Sequence, residues 1–400
     1  MPSARLTYPN NPFIINHYPQ TTRPNTRRLI IETRITHHVS RITNYTSRLT
    51  ALATQLPPHQ HEQMALHDCW LAPFINSHRA RAIFAASEIE TRYSVFADAT
   101  FLTDEPSAKK RNDLYLALAR PLAVQLTTRL LKQANLAPTD IDHIILVSCT
   151  GFDTPGLEMA LAAELGMKPT LRRSALIGMG CHAGLTAFDR AMLELSARPD
   201  SRVLVLAVEL CMIHFQHGGK LDNMIASAIF ADGLGGAIIE RRDPASLSEG
   251  KSSHVRFPKL LETMSYNFYQ TPNFMGVHLS DTGFQISLST KVAKLLRREI
   301  RGIIDLFLEQ IQLSQTDIRF WGIHPGGARI IDYVGEALGL AESELQYART
   351  VLRQYGNMSS ATIFFVLDEI VNHGQPHVGD YGLLMTFGPG LTVECCLVQW

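Results

Sequence analysis

Neither sign of charge is in excess in this 400-residue chain, which carries 37 basic and 37 acidic residues. A balanced chain has no overall electrostatic attraction for nucleic acid or for an anionic membrane, so we expect neither as a partner. No stretch reaches the ~18 consecutive apolar residues of a membrane-spanning helix. The opening stretch, MPSARLTYPNNPFIINHYPQ, lacks the charged start and apolar core of a secretory signal. These absences predict a cytoplasmic protein without a membrane span.

Cysteine is scarce, with six residues, and none of them is spaced as a CxxC pair or placed in a Cys/His cluster. Disulfide-rich domains and structural zinc sites need such patterns, so the sequence argues against both. We therefore expect free thiols in a reducing compartment and no bound metal.

The chain has ample material for a buried core, since 46% of its residues are hydrophobic. Its length exceeds what one core usually holds. Residues 1–27, rich in Pro, Asn and Thr, are predicted to form an extended arm. The polar segment RRDPASLSEGKSSH is the candidate boundary between residues 28–245 and residues 246–400. Strands and helices alternate on both sides of it, which predicts two similar α/β halves.

Three sequence patterns predict particular helices, turns and strand directions. The segment TPGLEMALAAELGM, 154–167, predicts a helix with Pro155 in its first turn. The segment AIFADGLGGAIIE, 228–240, predicts a helix end joined to a strand through a glycine-rich turn. Strands that alternate with helices along the chain predict mainly parallel strand pairing.

Cys181 lies directly after a Gly-Met-Gly turn in GMGCHAGLTAFDRAMLEL, 178–195. Leu185, Phe188 and Met192 then recur at helical spacing, so a helix is predicted to begin beside the cysteine. The unpaired N–H groups of a helix start favour a thiolate. Free cysteines are also common as small apolar core residues, and this motif alone leaves both interpretations open.

Two further polar residues stand in turns. His324, in WGIHPGG, follows an apolar run and precedes residues that end a strand, a position shared by catalytic and structural histidines. Asn357, in QYGNMSSAT, precedes an apolar helix and is either part of its N-terminal cap or an amide donor. In a thioester reaction Cys181 would take the acyl group, and His324 would stabilise its thiolate as imidazolium. His324 and Asn357 would then donate hydrogen bonds to the thioester carbonyl. Papain-like hydrolases use the same residue types, so the set does not decide the reaction.

Together with GFDTPG (151–156), AIFADG (228–233) and FGPGL (387–391), these motifs resemble the type III polyketide synthases, the chalcone-synthase-like enzymes of plants, bacteria and fungi. The motifs occur in the family's order, and the resemblance covers roughly residues 70 to 400. It implies a thiolase-like, five-layered αβαβα fold made of two similar halves, assembled as a homodimer.

The resemblance also implies the reaction. An acyl-CoA starter is loaded on Cys181, malonyl-CoA is decarboxylated and condensed with it repeatedly, and the product is cyclised to a pyrone, resorcinol, phloroglucinol or naphthalene. His324 and Asn357 hold the malonyl carbonyl during decarboxylation. The CoA thioesters are substrates, and no cofactor is implied.

Other positions carry over from the family's motifs. Phe230 matches a gatekeeper aromatic, and Phe284 is the candidate for a second one. Arg79 and Arg81 are the candidates for the CoA phosphates, because the basic stretch usual before IETRY is thin here. The predicted substrate-contacting set is completed by Cys149, Cys211, His214, Ser359, Gly388 and Pro389. Cys149 is matched in bacterial tetrahydroxynaphthalene-type synthases, whereas Cys211 and His214 replace small polar residues of plant chalcone synthases, so a chalcone product is not expected.

Two alternatives keep the fold and change the role. One is a ketoacyl synthase that makes a single condensation to start fatty-acid synthesis, and the other is an inactive subunit retained for assembly. GNMSSAT and FGPGL favour the polyketide synthase over the first. The intact Cys181, His324 and Asn357 argue against the second. The starter, the number of extensions and the cyclisation mode are left open by the sequence.

Overall fold

The computed structural model describes residues 46–74, 77–216, 220–242, 257–271, 273–289 and 291–400. The strands in these ranges are β1 Thr46–Gln55, β2 His59–Glu62, β3 Thr91–Ser94, β4 His143–Ser148, β5 Arg172–Ile177, β6 Arg202–Leu210, β7 Asp232–Arg242, β8 Lys259–Asn267, β9 Met275–Ser280, β10 Gly283–Leu288, β11 Ile318–Ile323, β12 Tyr381–Gly388 and β13 Thr392–Gln399. The helices in the same ranges are α1 Gln63–Leu66, α2 His78–Ala85, α3 Ala108–Ala134, α4 Leu157–Glu164, α5 Ala183–Ala197, α6 Leu221–Ile229, α7 Lys291–Gln310, α8 Ala328–Leu338, α9 Glu342–Tyr355 and α10 Thr362–His373. The predicted arm, 1–27, and the predicted boundary at 245/246 lie outside the described residues and stay predictions.

Nine of the described strands form one hydrogen-bonded sheet in the order β11-β12-β13-β8-β1-β7-β6-β4-β5. The same pattern occurs twice in it. The parallel pair β4–β6 is followed by antiparallel β6–β7 and β7–β1, and the parallel pair β11–β12 is followed by antiparallel β12–β13 and β13–β8. β1 and β8 join the two patterns through two residue pairs. This repeat confirms the two similar α/β halves expected from the sequence.

Parallel pairing is the minority in the described sheet, so the prediction of mainly parallel strands is wrong. Only β4–β5, β4–β6 and β11–β12 run parallel there. A helix between two strands does not force them to be parallel neighbours, since β7 follows β6 through α6 and still pairs with it antiparallel. Alternation along the sequence therefore gives the order of elements and not the direction of the strands.

Side-chain alternation along the strands separates the two faces of the sheet. In β6, Val205 faces a central core cluster, whereas Leu204 and Leu206 face an outer one. α5 and α10 fill the central layer, where the rings of Phe188 and Phe364 lie 5.4 Å apart. α3 and α4 cover the outer face of the first half, and α7 and α8 cover that of the second. The central cluster contains Val205 of the first half and Leu384 of the second, so α5 and α10 lie between two β layers and the order is αβαβα.

Two local predictions are wrong in detail. α4 begins at Leu157 and does not include Pro155, because Gly156 still has extended backbone with φ −78° and ψ 174°. The glycines of ADGLGG lie inside β7 and not in a turn before it. A Cβ on Gly235 would lie 2.5 Å from the Cβ of Phe364, so the missing side chain lets α10 approach the sheet.

α9 and the strands β8, β9 and β10 were not predicted. α9 buries Leu345, Ala348 and Leu352 at helical spacing, so its signal is present in the sequence. The β9–β10 hairpin carries a signal as well, since Met275, Val277 and Leu279 alternate with other residues along β9. β10 alternates in the same way from Phe284 to Leu288.

In the part of the chain that the structure describes, no helix combines the length and apolar character needed to cross a bilayer. Within the same residues, no group of three or more His, Cys, Asp or Glu side chains is arranged to hold a metal ion.

Candidate active site

Cys181 is presented by a sharp turn between β5 and α5. Gly178 and Gly180 have φ of +75° and +79°, in the left-handed region that favours glycine. A Cβ on Gly180 would lie 2.4 Å from Cδ of Pro389, so this turn packs directly against the loop after β12. α5 begins at Ala183. The helix start and the glycine turn predicted around Cys181 are therefore confirmed.

His324 is the first residue after β11. Its backbone N–H donates to the carbonyl of Met385 on β12 at 2.8 Å, and the residue is 1% exposed. Pro325 and the two glycines that follow separate it from α8. No hydrogen-bond partner is present for Nδ1 of His324 among the described residues. The strand end thus fixes the backbone, while Nδ1 of the imidazole stays unsatisfied inside the protein.

Asn357 lies in the turn after α9, where its backbone is clamped to the end of α6. Its N–H donates to Ile229 at 2.8 Å, and its carbonyl accepts from the N–H of Ala231 at 2.9 Å. The side-chain Oδ1 accepts from the N–H of Ser359 at 2.8 Å. Because Oδ1 is engaged in this way, the amide Nδ2 is left as the group that can donate to a ligand.

These three residues line one cavity of about 560 Å³. Two short 3₁₀ turns, Cys211–His214 and Ser359–Ala361, form part of its wall. Most of the predicted site residues line it as well, namely Phe230, Phe284, Cys149, Cys211, His214, Ser359, Pro389 and Arg79. Gly388 is not in the lining, and its backbone packs on the imidazole of His182 instead.

Burial sets the charge state of the cysteine and histidine. It raises the pKa of the Cys181 thiol to about 11, although hydrogen bonds with Ser359 and Asn357 oppose the rise. Burial and the neighbouring His182 lower the pKa of His324 to about 3. Both groups are therefore neutral near pH 7. The thiolate–imidazolium pair expected from the sequence is not favoured, because desolvation penalises both charges.

A buried carboxylate organises the wall beside Cys181. Glu209, fully buried at the end of β6, accepts hydrogen bonds from the backbone N–H and thiol of Cys149, at 3.1 and 3.3 Å, and from the hydroxyls of Thr150 and Ser360. The thiol of Cys149 also lies 2.9 Å from the hydroxyl of Ser359. Burial and the charge of Glu209 raise the pKa of the Cys149 thiol well above its usual value. Cys149 is thereby held as a neutral thiol in the cavity wall.

The sequence prediction did not include Glu209, although the signal was visible. In RVLVLAVEL a single acidic residue, Glu209, follows the apolar run of residues 203–208. A carboxylate in a buried strand needs several donors, so such a residue marks a polar network.

His214 forms a fixed part of the wall. Its Nε2 lies 2.7 Å from the carbonyl of Thr150, and its Nδ1 accepts from the N–H of Phe284 at 3.4 Å. The rings of His214 and Phe284 are 4.4 Å apart. Burial lowers the pKa of His214 to about 4, so it is a neutral imidazole. Phe284 therefore packs on His214. Ile286 lies two residues further along β10, on the same strand face, and lines the cavity as well.

A buried arginine holds Phe230 and Asn357 together. Nη1 of Arg92, which is fully buried, donates to the carbonyls of Ser227 at 2.8 Å and Phe230 at 2.5 Å. A Cβ on Gly356 would lie 3.0 Å from the methylene groups of Arg92. The same side chain thus supports the α6 end that carries Phe230 and the turn that carries Asn357.

The two arginines predicted to bind CoA lie in different environments. Arg79 lines the cavity, whereas Nη1 of Arg81 lies 2.5 Å from the Asp68 carboxylate and is not part of the lining. Two cations that the prediction missed, Lys294 and Arg329, line the cavity as well. They come from α7 and α8 in the second half, and nothing in the local sequence connects them with Arg79.

Comparisons with known proteins identify the family. The sequence model for the N-terminal domain of chalcone and stilbene synthases matches residues 37–244, and that for the C-terminal domain matches residues 261–400. A 1,3,6,8-tetrahydroxynaphthalene synthase of Streptomyces peucetius subsp. caesius is 29% identical over 356 residues, 88% of this chain and 92% of that protein. A 3,5-dihydroxyphenylacetyl-CoA synthase of Amycolatopsis balhimycina is 30% identical over 335 residues, 80% of this chain and 85% of that one.

Solved structures agree with the sequence matches. PKS-I of the brown alga Ectocarpus siliculosus superposes with a TM-score of 0.82 at 26% identity, covering 90% of this chain and all of that one. The 1,3,6,8-tetrahydroxynaphthalene synthase of Streptomyces coelicolor A3(2) gives 0.79 at 26% identity, with 88% and 99% covered. The thiolase-like fold class is confirmed. The chain belongs to the chalcone and stilbene synthase family and is a type III polyketide synthase, an acyltransferase that uses malonyl-CoA and builds its product by iterative condensation and cyclisation.

Proposed function

We propose that Cys181 carries the growing acyl chain while His324 and Asn357 hold the malonyl thioester. The observation that carries this proposal is their convergence in one cavity, where Oδ1 of Asn357 accepts from Ser359 and the Asn357 side chain hydrogen-bonds with the thiol of Cys181. Neutral His324 accepts the thiol proton as the sulfur attacks the starter thioester, and it then protonates the departing CoA sulfur. The pKa raised at Cys181 and lowered at His324 makes this coupled transfer preferable to a standing ion pair.

Decarboxylation uses the same two donors. The malonyl carbonyl oxygen accepts hydrogen bonds from His324 and from Nδ2 of Asn357, which stabilise the enolate formed on loss of CO₂. The enolate carbon attacks the acyl carbonyl on Cys181, the new C–C bond forms and the cysteine sulfur leaves. Phe230, held through its carbonyl by Arg92, gives this part of the cavity an apolar wall that disfavours the charged carboxylate.

A starter panel tests this function. Malonyl-CoA, short-chain, fatty and aromatic acyl-CoA thioesters are each incubated with labelled malonyl-CoA, and products are identified by mass. We expect CO₂ release and products from more than one condensation, of pyrone, resorcinol, phloroglucinol or naphthalene type. Single-condensation products throughout would support the ketoacyl synthase instead, and the absence of both CO₂ and product would exclude the proposed function.

We also propose that the CoA phosphates bind Arg79, Lys294 and Arg329. All three line the cavity that contains Cys181, and two of them come from helices of the second half. Arg81 is left out of this set because its guanidinium is paired with Asp68. The CoA thioesters are substrates, and the proposed chemistry requires no cofactor. The six cysteines are unpaired, which supports a reducing compartment such as the cytoplasm.

The proposed assembly is a homodimer formed along β5. This strand ends the described sheet, and its outer edge leaves backbone groups available for a second strand. Large apolar side chains are exposed on the elements around that edge, namely Phe152, Met159, Ile177 and Leu193. A second copy of the chain would cover this surface.

The dimer proposal predicts the effect of charge on that surface. Because an unpaired carboxylate in an apolar interface is costly, the double variant Ile177→Asp/Leu193→Asp should run as a monomer in light scattering while the parent runs as a dimer. The matched control Val277→Asp/Leu279→Asp changes exposed apolar residues on β9 and should stay dimeric. A monomeric parent would contradict the proposal.

A further inference from the structure

Arg92 on β3 is a buried cation whose hydrogen-bonding capacity is only partly used. The side chain has no exposed surface. Its Nη1 donates to two carbonyls, whereas Nε and Nη2 have no hydrogen-bond partner in the ranges that the structure describes. Burial lowers the pKa of Arg92 to about 9, and Asp232 opposes the fall, so the guanidinium is charged near pH 7. An apolar side chain would fill this space at a lower desolvation cost, so stability alone does not account for the arginine.

The C-terminal end of α6 is held from both halves of the chain. Arg92, from the first half, donates to the carbonyls of Ser227 and Phe230 at 2.8 and 2.5 Å. A cation at this end of a helix is also favoured by the helix dipole. Asn357, from the second half, donates its N–H to the carbonyl of Ile229 at 2.8 Å. The position of Phe230 therefore depends on the guanidinium and on the Asn357 turn together.

The strand that carries Arg92 is also joined to the chain just before Asn357. Oγ1 of Thr91 donates to the carbonyl of Gln354, near the end of α9, at 2.7 Å. A Cβ on Gly356 would lie 3.0 Å from both Cγ and Cδ of Arg92, so the methylene groups pack on the backbone of that glycine. Gly356 has φ of +71°, in the region that favours glycine. Arg92 thus fixes the turn that presents the Asn357 amide.

Arg92 does not reach the residues that load the starter. It is not in the lining of the catalytic cavity, so it does not touch substrate. In the described part of the chain, no hydrogen bond joins it to Cys181 or His324. The turn before Cys181 packs against Pro389, and the His324 backbone is bonded to β12. The support that Arg92 provides is therefore confined to Phe230 and Asn357.

We propose that Arg92 is a positioning residue for the malonyl half of the reaction, on which decarboxylation depends and starter loading does not. The inference rests on the proposed function, which assigns the malonyl carbonyl to Asn357 and the acyl group to Cys181. Without the guanidinium, the carbonyls of Ser227 and Phe230 lose their buried donor, and the end of α6 and the Asn357 turn lose their common support. A displacement of a catalytic group by about 1 Å costs on the order of a hundredfold in rate.

The test measures the two half-reactions separately in Arg92→Met, which keeps an unbranched side chain and removes every donor. Loading is followed as the mass of the acyl-enzyme formed with the acyl-CoA of the starter panel that the parent accepts best. Decarboxylation is followed as CO₂ released from carboxyl-labelled malonyl-CoA alone. We expect kcat for CO₂ release to fall at least about tenfold. KM for malonyl-CoA and the rate of loading should each stay within about threefold, because the groups proposed for CoA, Cys181 and His324 are untouched.

Two further variants separate positioning from general support of the fold. Arg92→Lys keeps the charge and a donor without the fork of the guanidinium, so its ratio of CO₂ release to loading should lie between those of the parent and Arg92→Met. Arg111→Met removes another buried guanidinium, which donates to the carbonyls of Pro106 and Ile213, and should leave that ratio within about twofold of the parent.

The outcomes are distinct. An equal fall of loading and CO₂ release in Arg92→Met, or a parental rate of CO₂ release, would overturn the positioning role and leave the proposed function intact. If Arg92→Met does not fold, Arg92→Lys carries the same comparison, and a parental ratio in that variant would overturn the role as well. A parent that forms no acyl-enzyme with any thioester of the panel and releases no CO₂ would refute the proposed function itself.

Discussion

Replacing Cys181 with alanine should stop chain building and spare part of the decarboxylation. Without the sulfur there is no acyl-enzyme, so we expect polyketide formation to fall at least about a thousandfold. His324 and Asn357 remain in place to hold the malonyl carbonyl, so CO₂ release from malonyl-CoA should persist within roughly tenfold of the parental rate. Product is measured by mass spectrometry, and CO₂ is measured from carboxyl-labelled malonyl-CoA.

Cys211→Ala is the matched control for the loss of a cavity thiol. Cys211 lines the same cavity, and burial raises its pKa well above the usual value, so it is a neutral wall residue. This variant should keep chain building within about tenfold of the parent. Normal product formation by Cys181→Ala would assign the acyl group to another residue, and an equal loss in both variants would point to cavity shape as the cause.

The motif residues were predictable because each carries a local signal. Gly178 and Gly180 predict the turn before Cys181. Pro325 and the two glycines after it predict that the strand ends at His324. Such signals depend on a few adjacent residues. Their meeting in one cavity came from the family resemblance, since each motif alone also had an ordinary structural interpretation.

The rest of the site depends on contacts between distant parts of the chain. Glu209 meets Ser360 across 151 positions, and Arg92 meets Phe230 across 138. Lys294 joins Arg79 only because α7 and α2 border one cavity. The burial of Cys181 could not be seen in its motif either, and desolvation raises the pKa of a thiol against the effect of the helix start.

His214→Thr should change which product is made. The imidazole of His214 occupies cavity wall and is fixed between Thr150 and Phe284. Threonine is smaller, so the cavity gains room and Phe284 loses the ring that it packs against. We expect products extended by a further malonyl unit, or acceptance of bulkier starters, in the same panel that tests the proposed function. The total rate of CO₂ release should stay within about tenfold, because Cys181, His324 and Asn357 are untouched.

Three measurements test the role of His214 itself. His373→Thr makes the same substitution at an exposed residue of α10 and should leave the products unchanged. Burial lowers the pKa of His214 to about 4, so it stays neutral from pH 6 to 8 and the parental product ratio should be flat across that range.

Because the folded state disfavours protonation of His214, acid should destabilise the parent as pH falls from about 6.5 towards 4. In His214→Thr this acid destabilisation should be smaller, as measured by thermal unfolding. An unchanged product profile in a folded His214→Thr variant would remove the residue from the control of product size and leave that role to Phe284 and Ile286.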